Sequence, residues 1–328
     1  MKKKIFTLIL KAVLFIFFFV IFPDSPDSSD NIFGRRLAGL DYGPFREAQN
    51  PKNRAFPSEE EIKEDMIILR EMTDVVRIYS VTGENEKIVQ LADELGLQVA
   101  AGAWLGSSEE DNEKEISRLI EVANSYKNIV FVVVGNEAIL RRQQGGVDSL
   151  PNFKVIKYIV KVKKSVSQPV TTAEPWKIWL ENPALVKHVD FIFFNIHPYW
   201  EQIDISLAAE HTVEKYMELK KAYPDKCVVI GETGWPTDGL SNGLSQPGAK
   251  NQERFLREFL QTAEEKSIDF FLFEAFDEDY KSTEPNSVGP HWGLYFSDRT
   301  PKHGVRIIKE SVRTMAEEEK QINISEQK

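Results

Sequence analysis

Past its first thirty residues the chain alternates short, nearly unbroken apolar runs with longer stretches in which apolar residues recur every three or four positions. The short runs predict β-strands buried on both faces, because Ile129-Val130-Phe131-Val132-Val133-Val134 and Asp190-Phe191-Ile192-Phe193-Phe194 lack the polar alternation of a half-solvated strand. Strands are predicted at 36–42, 75–79, 98–104, 129–134, 169–172, 189–195, 227–231 and 269–274. Helical periodicity falls between them at 58–72, 84–95, 109–126, 153–166, 208–222 and 252–267, and again at 302–317. Strand and helix in alternation imply an α/β fold with a parallel sheet and crossover helices. Eight such repeats predict a single-domain (β/α)8 TIM barrel over 36–317, with its active site at the C-terminal ends of the strands. A polar tail, 318–328, follows, and its Asn323-Ile324-Ser325 sequon is most simply chance.

The N-terminus breaks this pattern. Met1 to Lys4 carry three lysines, and residues 5–22 then run apolar for 18 positions interrupted only by Thr7 and Lys11. A cleaved signal peptide calls for a shorter apolar core and small residues at the cut, whereas Phe22 is followed by Pro23-Asp24-Ser25. An uncleaved anchor needs about 18 to 20 apolar residues with positive charge on the cytoplasmic flank. Both uses export the domain: as a signal-anchor helix it holds the protein to the membrane facing the extracytoplasmic side, and if cleaved it releases a secreted protein. A buried helix of the domain fits less well, since lysines precede the segment and a Pro/Asp/Ser linker, 23–35, follows it.

Charge narrows the partners. With 41 Lys and Arg against 51 Asp and Glu the net charge is −10, and no long Lys/Arg run lies beyond the N-terminus, so nucleic acid is not an expected partner. One cysteine, Cys227, allows no internal disulfide, and five histidines without cysteine companions form no structural zinc set. Gly145-Gly146 lack the pattern of a phosphate-binding turn, and nothing calls for a cofactor. Oligomeric state is left open.

If the fold is a barrel, the strand ends face one mouth and can be read as a set. They are Asp41-Tyr42-Gly43, Arg77-Ile78-Tyr79, Gly135-Asn136-Glu137, Asn195-Ile196-His197-Pro198-Tyr199-Trp200, Gly231-Glu232-Thr233-Gly234-Trp235-Pro236 and Glu274-Ala275-Phe276-Asp277-Glu278. A lone carboxylate is most often a solvated loop charge. Glu137 and Glu232 differ, since each follows a fully apolar strand, the fourth and the seventh, and the two should project into the mouth from opposite walls. A facing carboxyl pair is what glycoside hydrolysis needs, one protonated to release the leaving oxygen and one ionised to attack or to activate water. A metal site is the rival use, which His197 and His291 could join, but no His-x-x-x-His or Asp-x-Asp spacing supports it. Trp104, Trp176, Trp200 and Trp235 lie at or just beyond strand ends, Trp292 in the connection after strand eight, and only Trp179 in a predicted helix. Sugar rings present flat C–H faces that stack on indole, so tryptophan beside carboxylate favours carbohydrate over phosphate or peptide.

Val134-Gly135-Asn136-Glu137 and Val229-Ile230-Gly231-Glu232-Thr233-Gly234-Trp235-Pro236 resemble the two active-site motifs of glycoside hydrolase family 17, the β-1,3-glucanase family. Gly39 to Phe45, Val76-Arg77-Ile78-Tyr79, Phe273 to Glu278 with Lys281, and His291-Trp292-Gly293-Leu294 fit in the same order, so the resemblance spans residues 37–308. It implies a retaining enzyme acting on β-glucan, with Glu137 as acid/base and Glu232 as nucleophile. Asn136 is suited to hydrogen-bond the sugar 2-hydroxyl. Tyr42, Tyr79, Glu278 and Lys281 correspond to subsite residues, and Arg77, Asn195, Tyr199, Trp235, Phe276 and Trp292 complete the substrate-binding candidates. The strand-eight stretch is nearer the fungal and bacterial branches, some of whose members transfer glucan to glucan rather than to water, which leaves transglycosylation as the alternative. A non-catalytic glucan-binding barrel is the remaining alternative, and the presence of both glutamates speaks against it.

Overall fold

A computed structural model describes residues 32, 33, 37–53 and 55–311; the N-terminal segment 1–22, nearly all of the linker and the tail lie outside the described residues. Eight parallel strands close into a barrel: β1 (Ala38–Asp41), β2 (Val75–Ile78), β3 (Gln98–Ala103), β4 (Ile129–Asn136), β5 (Val170–Pro175), β6 (Ile192–Asn195), β7 (Val228–Thr233) and β8 (Phe270–Leu272). Each pairs with its sequence neighbours, and β8 returns to β1 through Ala38 opposite Phe270 and Leu40 opposite Leu272. The helices are α1 (Glu59–Leu69), α2 (Glu86–Glu94), α3 (Glu109–Ser125), α4 (Ala138–Gln143), α5 (Asn152–Lys163), α6 (Trp176–Glu181), α7 (Pro183–Val186), α8 (Ile205–Ala222), α9 (Ala249–Glu265) and α10, residues 304–311.

Local chemistry starts several of these helices. Ser58 accepts from the Glu61 N–H while the Glu61 carboxylate receives the Ser58 N–H, a reciprocal cap that opens α1. Ser108 and Asp204 likewise accept from N–H groups of the first turns of α3 and α8. Helices α4, α6 and α7 lie outside the predicted pattern. They are too short to show a helical period, and α6 takes in Trp176, which the sequence places only at a strand end.

Two apolar cores lie on either side of the sheet. The barrel interior holds Leu37, Val75, Ala100, Phe131, Val133, Phe191, Phe193, Val229 and Phe271. Its phenyl rings meet edge to face, with Phe131 at centroid distances of 5.1 Å from Phe191 and 5.8 Å from Phe271. Gly39 makes room for this filling, because a Cβ there would sit 2.2 Å from the Phe271 ring. The larger core lies between the strands and the helices and contains the outward residues Leu40, Val76, Val99, Val132 and Ile230.

The strand ends depart from expectation. β4 and β7 each run two residues beyond the predicted apolar stretch, and each carries one residue too many for its neighbour. Val133 faces Thr171 but Asn136 faces Ala173, and Ile230 faces Phe270 but Thr233 faces Leu272. β8 is correspondingly short, with 3 residues where the apolar run predicts a longer strand.

A buried polar knot ties the outer layer together. Asp65 of α1 accepts from Arg299 at 2.8 and 2.6 Å, from Arg46 at 3.1 Å and from the Tyr42 hydroxyl at 2.9 Å. Its side chain is fully buried, so removing it strands Arg299 without its counter-charge. Asp65→Ala is expected to cost about 3–5 kcal/mol, read as a lowered midpoint of urea unfolding with unchanged slope.

Candidate active site

Strand periodicity carries the interior face upward into the mouth. Above Leu37 stand Gly39 and Asp41, above Val75 stand Arg77 and Tyr79, above Ala100 stand Gly102 and Trp104, and above Phe193 stand Asn195 and His197. On β4 and β7 the interior residues are Phe131, Val133 and Val229, so simple alternation would leave Asn136 and Glu232 on the outer face. The extra residue on each strand reverses that parity and turns both side chains inward. Gly135 takes the strain on β4 with φ of 89°, and Glu137 leaves the strand at φ of 51° to start α4.

Arg77 is the hub of the site. Its Nη1 donates to Glu232 Oε1 at 2.9 Å, to the Gly231 carbonyl at 2.9 Å and to Asp41 Oδ1 at 3.3 Å, and its Nη2 donates to Asn136 Oδ1 at 2.8 Å. Tyr79 donates to Glu232 Oε1 at 3.1 Å, and His197 Nε2 lies 3.1 Å from Glu232 Oε2. Asn195 donates to Asn136 Oδ1 at 3.1 Å and to Glu137 Oε1 at 3.0 Å. With its Oδ1 taken twice, Asn136 keeps its amide hydrogens for a ligand.

The two glutamates are driven apart in acidity. Burial raises Glu137, the negative charge of Glu232 raises it further, and the Asn195 hydrogen bond only partly offsets this. Burial would raise Glu232 as well, but Arg77, His197 and the Tyr79 hydroxyl overcome it and hold the carboxyl at about 2. The site therefore favours the proton on Glu137 and the negative charge on Glu232.

A second acidic group adjoins the first. Lys281 Nζ bridges Glu274 Oε2 at 2.6 Å and Glu278 Oε2 at 2.7 Å. Burial drives Glu274 well above the usual carboxylate range; Lys281 pulls it down and the neighbouring Glu278 carboxyl pushes it up. Gly43 leaves room for this group, since a Cβ there would meet Glu278 Oε1 at 2.0 Å.

The structure separates the substrate-binding candidates into two sets. Arg77, Tyr79, Asn136 and Asn195 gather around the two glutamates, with Glu278 and Lys281 in the adjoining acidic group. Tyr42, Tyr199, Trp235, Phe276 and Trp292 are buried in the larger core between strands and helices. Tyr42 has even parity on β1, so it faces α1 and gives its hydroxyl to Asp65. Tyr199 donates to the Leu240 carbonyl, Trp235 to the Gln246 carbonyl, and Phe276 lies under the Arg299 guanidinium at 4.2 Å. Trp292 meets His197 edge-on at 5.1 Å and supports the imidazole that touches Glu232.

Glu174 escapes the sequence reading, and Glu274, read there as a strand-end residue facing the mouth, is given no role in substrate binding. Glu174 lies near the end of β5, and its two oxygens accept from the Ile139 and Leu140 N–H groups at 2.8 and 3.1 Å, anchoring the turn that carries Glu137. Burial, opposed by the Ile139 N–H, pushes its carboxyl up to about 8. An acidic residue just before Pro175-Trp176 is the available signal, lost because the predicted fifth strand ends at residue 172.

Two inward carboxyls of opposed acidity on the fourth and seventh strands of a closed barrel define a glycoside hydrolase-type barrel. The profile of the BtgE/BtgC glycoside hydrolase domain family matches residues 39–293, and the chain belongs to that family. A relative named "Probable glucan endo-1,3-beta-glucosidase btgC" from Aspergillus fumigatus is 28% identical over 299 residues, covering 82% of this chain and 43% of the relative. The chain thus spans less than half the length of that relative. A "Glucan 1,3-beta-glucosidase" from Arthroderma benhamiae is 29% identical, covering 83% of this chain and 91% of the relative. Among solved structures, the glycoside hydrolase family 17 beta-1,3-glucanosyltransferase from Rhizomucor miehei is 28% identical, with a TM-score of 0.72 over 83% of this chain and 97% of that one.

Replacing Arg77 by Met removes the strongest force lowering Glu232, so that carboxyl is expected to titrate above the value of about 2 that it has in the native site. Carbon-13 NMR of the glutamate carboxyl carbons measures the shift directly; an unchanged titration would contradict the role given to Arg77.

Proposed function

We propose that the protein is a retaining glycosidase that cleaves β-1,3-glucan by double displacement. The observation that carries this reading is the hydrogen-bonded network in which Arg77, Asn136, Asn195 and His197 join Glu137 to Glu232, with burial raising the Glu137 carboxyl and Arg77 lowering that of Glu232. The Glu232 carboxylate attacks the anomeric carbon while Glu137 gives its proton to the departing glycosidic oxygen. The product is a glycosyl-enzyme ester of inverted configuration and a released fragment that carries the leaving oxygen as a hydroxyl. Glu137, now ionised, takes a proton from an incoming water, whose oxygen displaces Glu232 and restores the original configuration. The Asn136 amide donates to the 2-hydroxyl of the sugar held between the glutamates. Retention calls for a carboxyl separation of about 5 to 5.5 Å.

The names borne by the relatives favour a β-1,3-glucan, and their Aspergillus and Arthroderma sources favour the fungal-like branch of the family. Transfer to a second glucan in place of water is the alternative, favoured by the name of the Rhizomucor miehei protein. The N-terminal segment supports export, as an anchored protein if it is retained and a secreted one if it is cleaved; recovery of the domain in the cytosol would oppose both.

Glu137→Gln and Glu232→Gln are expected to fail differently on laminari-oligosaccharides and aryl glucosides. Without Glu232 no glycosyl-enzyme forms, and turnover vanishes for every substrate. Glu137→Gln loses about 10²–10⁴-fold on glucan but less in the first step with an aryl leaving group, which needs no acid. Azide then restores turnover of Glu137→Gln and yields the β-glycosyl azide; rescue of Glu232→Gln to that product would reverse the roles. Sizing the wild-type products separates hydrolysis, which only shortens chains, from transfer, which also lengthens them.

A further inference from the structure

Glu174 is a buried carboxyl with no part in the two displacement steps. It stands on β5, 0% exposed, and both its oxygens accept from main-chain N–H groups, Oε1 from Ile139 and Oε2 from Leu140. Those residues follow Glu137 closely, in the first turn of α4. Glu137 itself sits at φ of 51° and ψ of 27°, a left-handed conformation that a residue with a side chain keeps only where its surroundings impose it. β5 imposes it from both sides. The Ala173 carbonyl accepts from the Glu137 N–H at 2.7 Å, and the next residue, Glu174, takes the N–H groups beyond the turn. The Glu137 side chain, at the N-cap position of α4, makes no capping bond, so the Glu174 carboxyl is what meets these two donors at the helix start. Glu232 is held separately, by Arg77, Tyr79 and His197.

We propose that Glu174 is a positioning residue for the acid step: by holding the first turn of α4 against β5 it fixes the left-handed backbone of Glu137, and with it the point from which the Glu137 carboxyl reaches the glycosidic oxygen. This rests on the double-displacement reading above, in which Glu137 is the acid/base. Glu174 touches no substrate and acts through Glu137. Displacing a reacting group by about 1 Å costs on the order of 10²-fold in rate, so a loosened turn weakens proton delivery while the nucleophile keeps its place. The defect therefore falls on leaving groups that need a proton and spares those that do not.

The test compares kcat/KM on a laminari-oligosaccharide and on an aryl β-glucoside for the wild type, Glu174→Ala and Glu174→Gln. Both substrates are assayed on one preparation, so a fraction of unfolded enzyme cancels in their ratio, and Glu174→Gln carries the test if Glu174→Ala does not fold. Glu174→Ala is expected to lose about tenfold more on the oligosaccharide than on the aryl glucoside, and Glu174→Gln, which keeps one acceptor oxygen, to show a smaller difference. Adding Glu174→Gln to Glu137→Gln is expected to cost little beyond Glu137→Gln alone, because no acid is left to place. Equal losses on the two substrates, or fully additive losses in the double variant, would overturn the positioning role while leaving the double-displacement reading intact. A Glu137→Gln enzyme as active on the oligosaccharide as the wild type would instead remove that reading and this role with it.

Discussion

The Arg77 guanidinium is the contact on which the site depends. It sits on the interior face 4.9 Å above the Phe193 ring and 4.6 Å from the Tyr79 ring, at the junction between the phenyl filling and the polar mouth. A buried cation in that place needs counter-charge, and it finds Glu232 on β7 at 2.9 Å, with Asp41 Oδ1 on β1 as a further acceptor at 3.3 Å. The ion pair fixes the geometry of Glu232 and, through Asn136, reaches the strand that carries Glu137.

The bulges on β4 and β7 complete that arrangement. A regular strand would turn Asn136 and Glu232 toward the helices, where a carboxylate against apolar side chains would be expensive. One extra residue on each strand changes which face the later residues take, and the Glu174 carboxyl secures the turn beyond β4 by holding two N–H groups of α4. Positioning the two glutamates is thus a property of the sheet and of the groups behind it together.

Charge in the mouth is divided rather than cancelled. Asp41 and Glu274 are both driven well above the ordinary carboxylate range by burial, against the pull of Arg77 and Lys281 respectively. Burial works against ionisation of these carboxyls, and the neighbouring cations work against burial. Glu232 is lowered because, among the described carboxyls, it meets Arg77, His197 and Tyr79 at once.

What the sequence determined by itself was the order of eight strands, because an apolar run covered on both faces differs visibly from an amphipathic helix. It also marked Glu137 and Glu232, since polar residues directly after such runs must lie at a sheet end. Tertiary structure decided the rest. Tyr42 and Phe276 read as mouth residues from their nearness to strand ends, yet the parity of β1 and the packing against α1 and Arg299 turn them outward. The bulges leave no trace in the hydrophobic pattern, because Gly135 and Gly231 satisfy either register. Short helices such as α4 escape periodicity altogether, and the role of Glu174 exists only where β5 meets that helix. Hydrophobic pattern reports which segments are buried; which face a residue takes depends on the register between strands far apart in sequence.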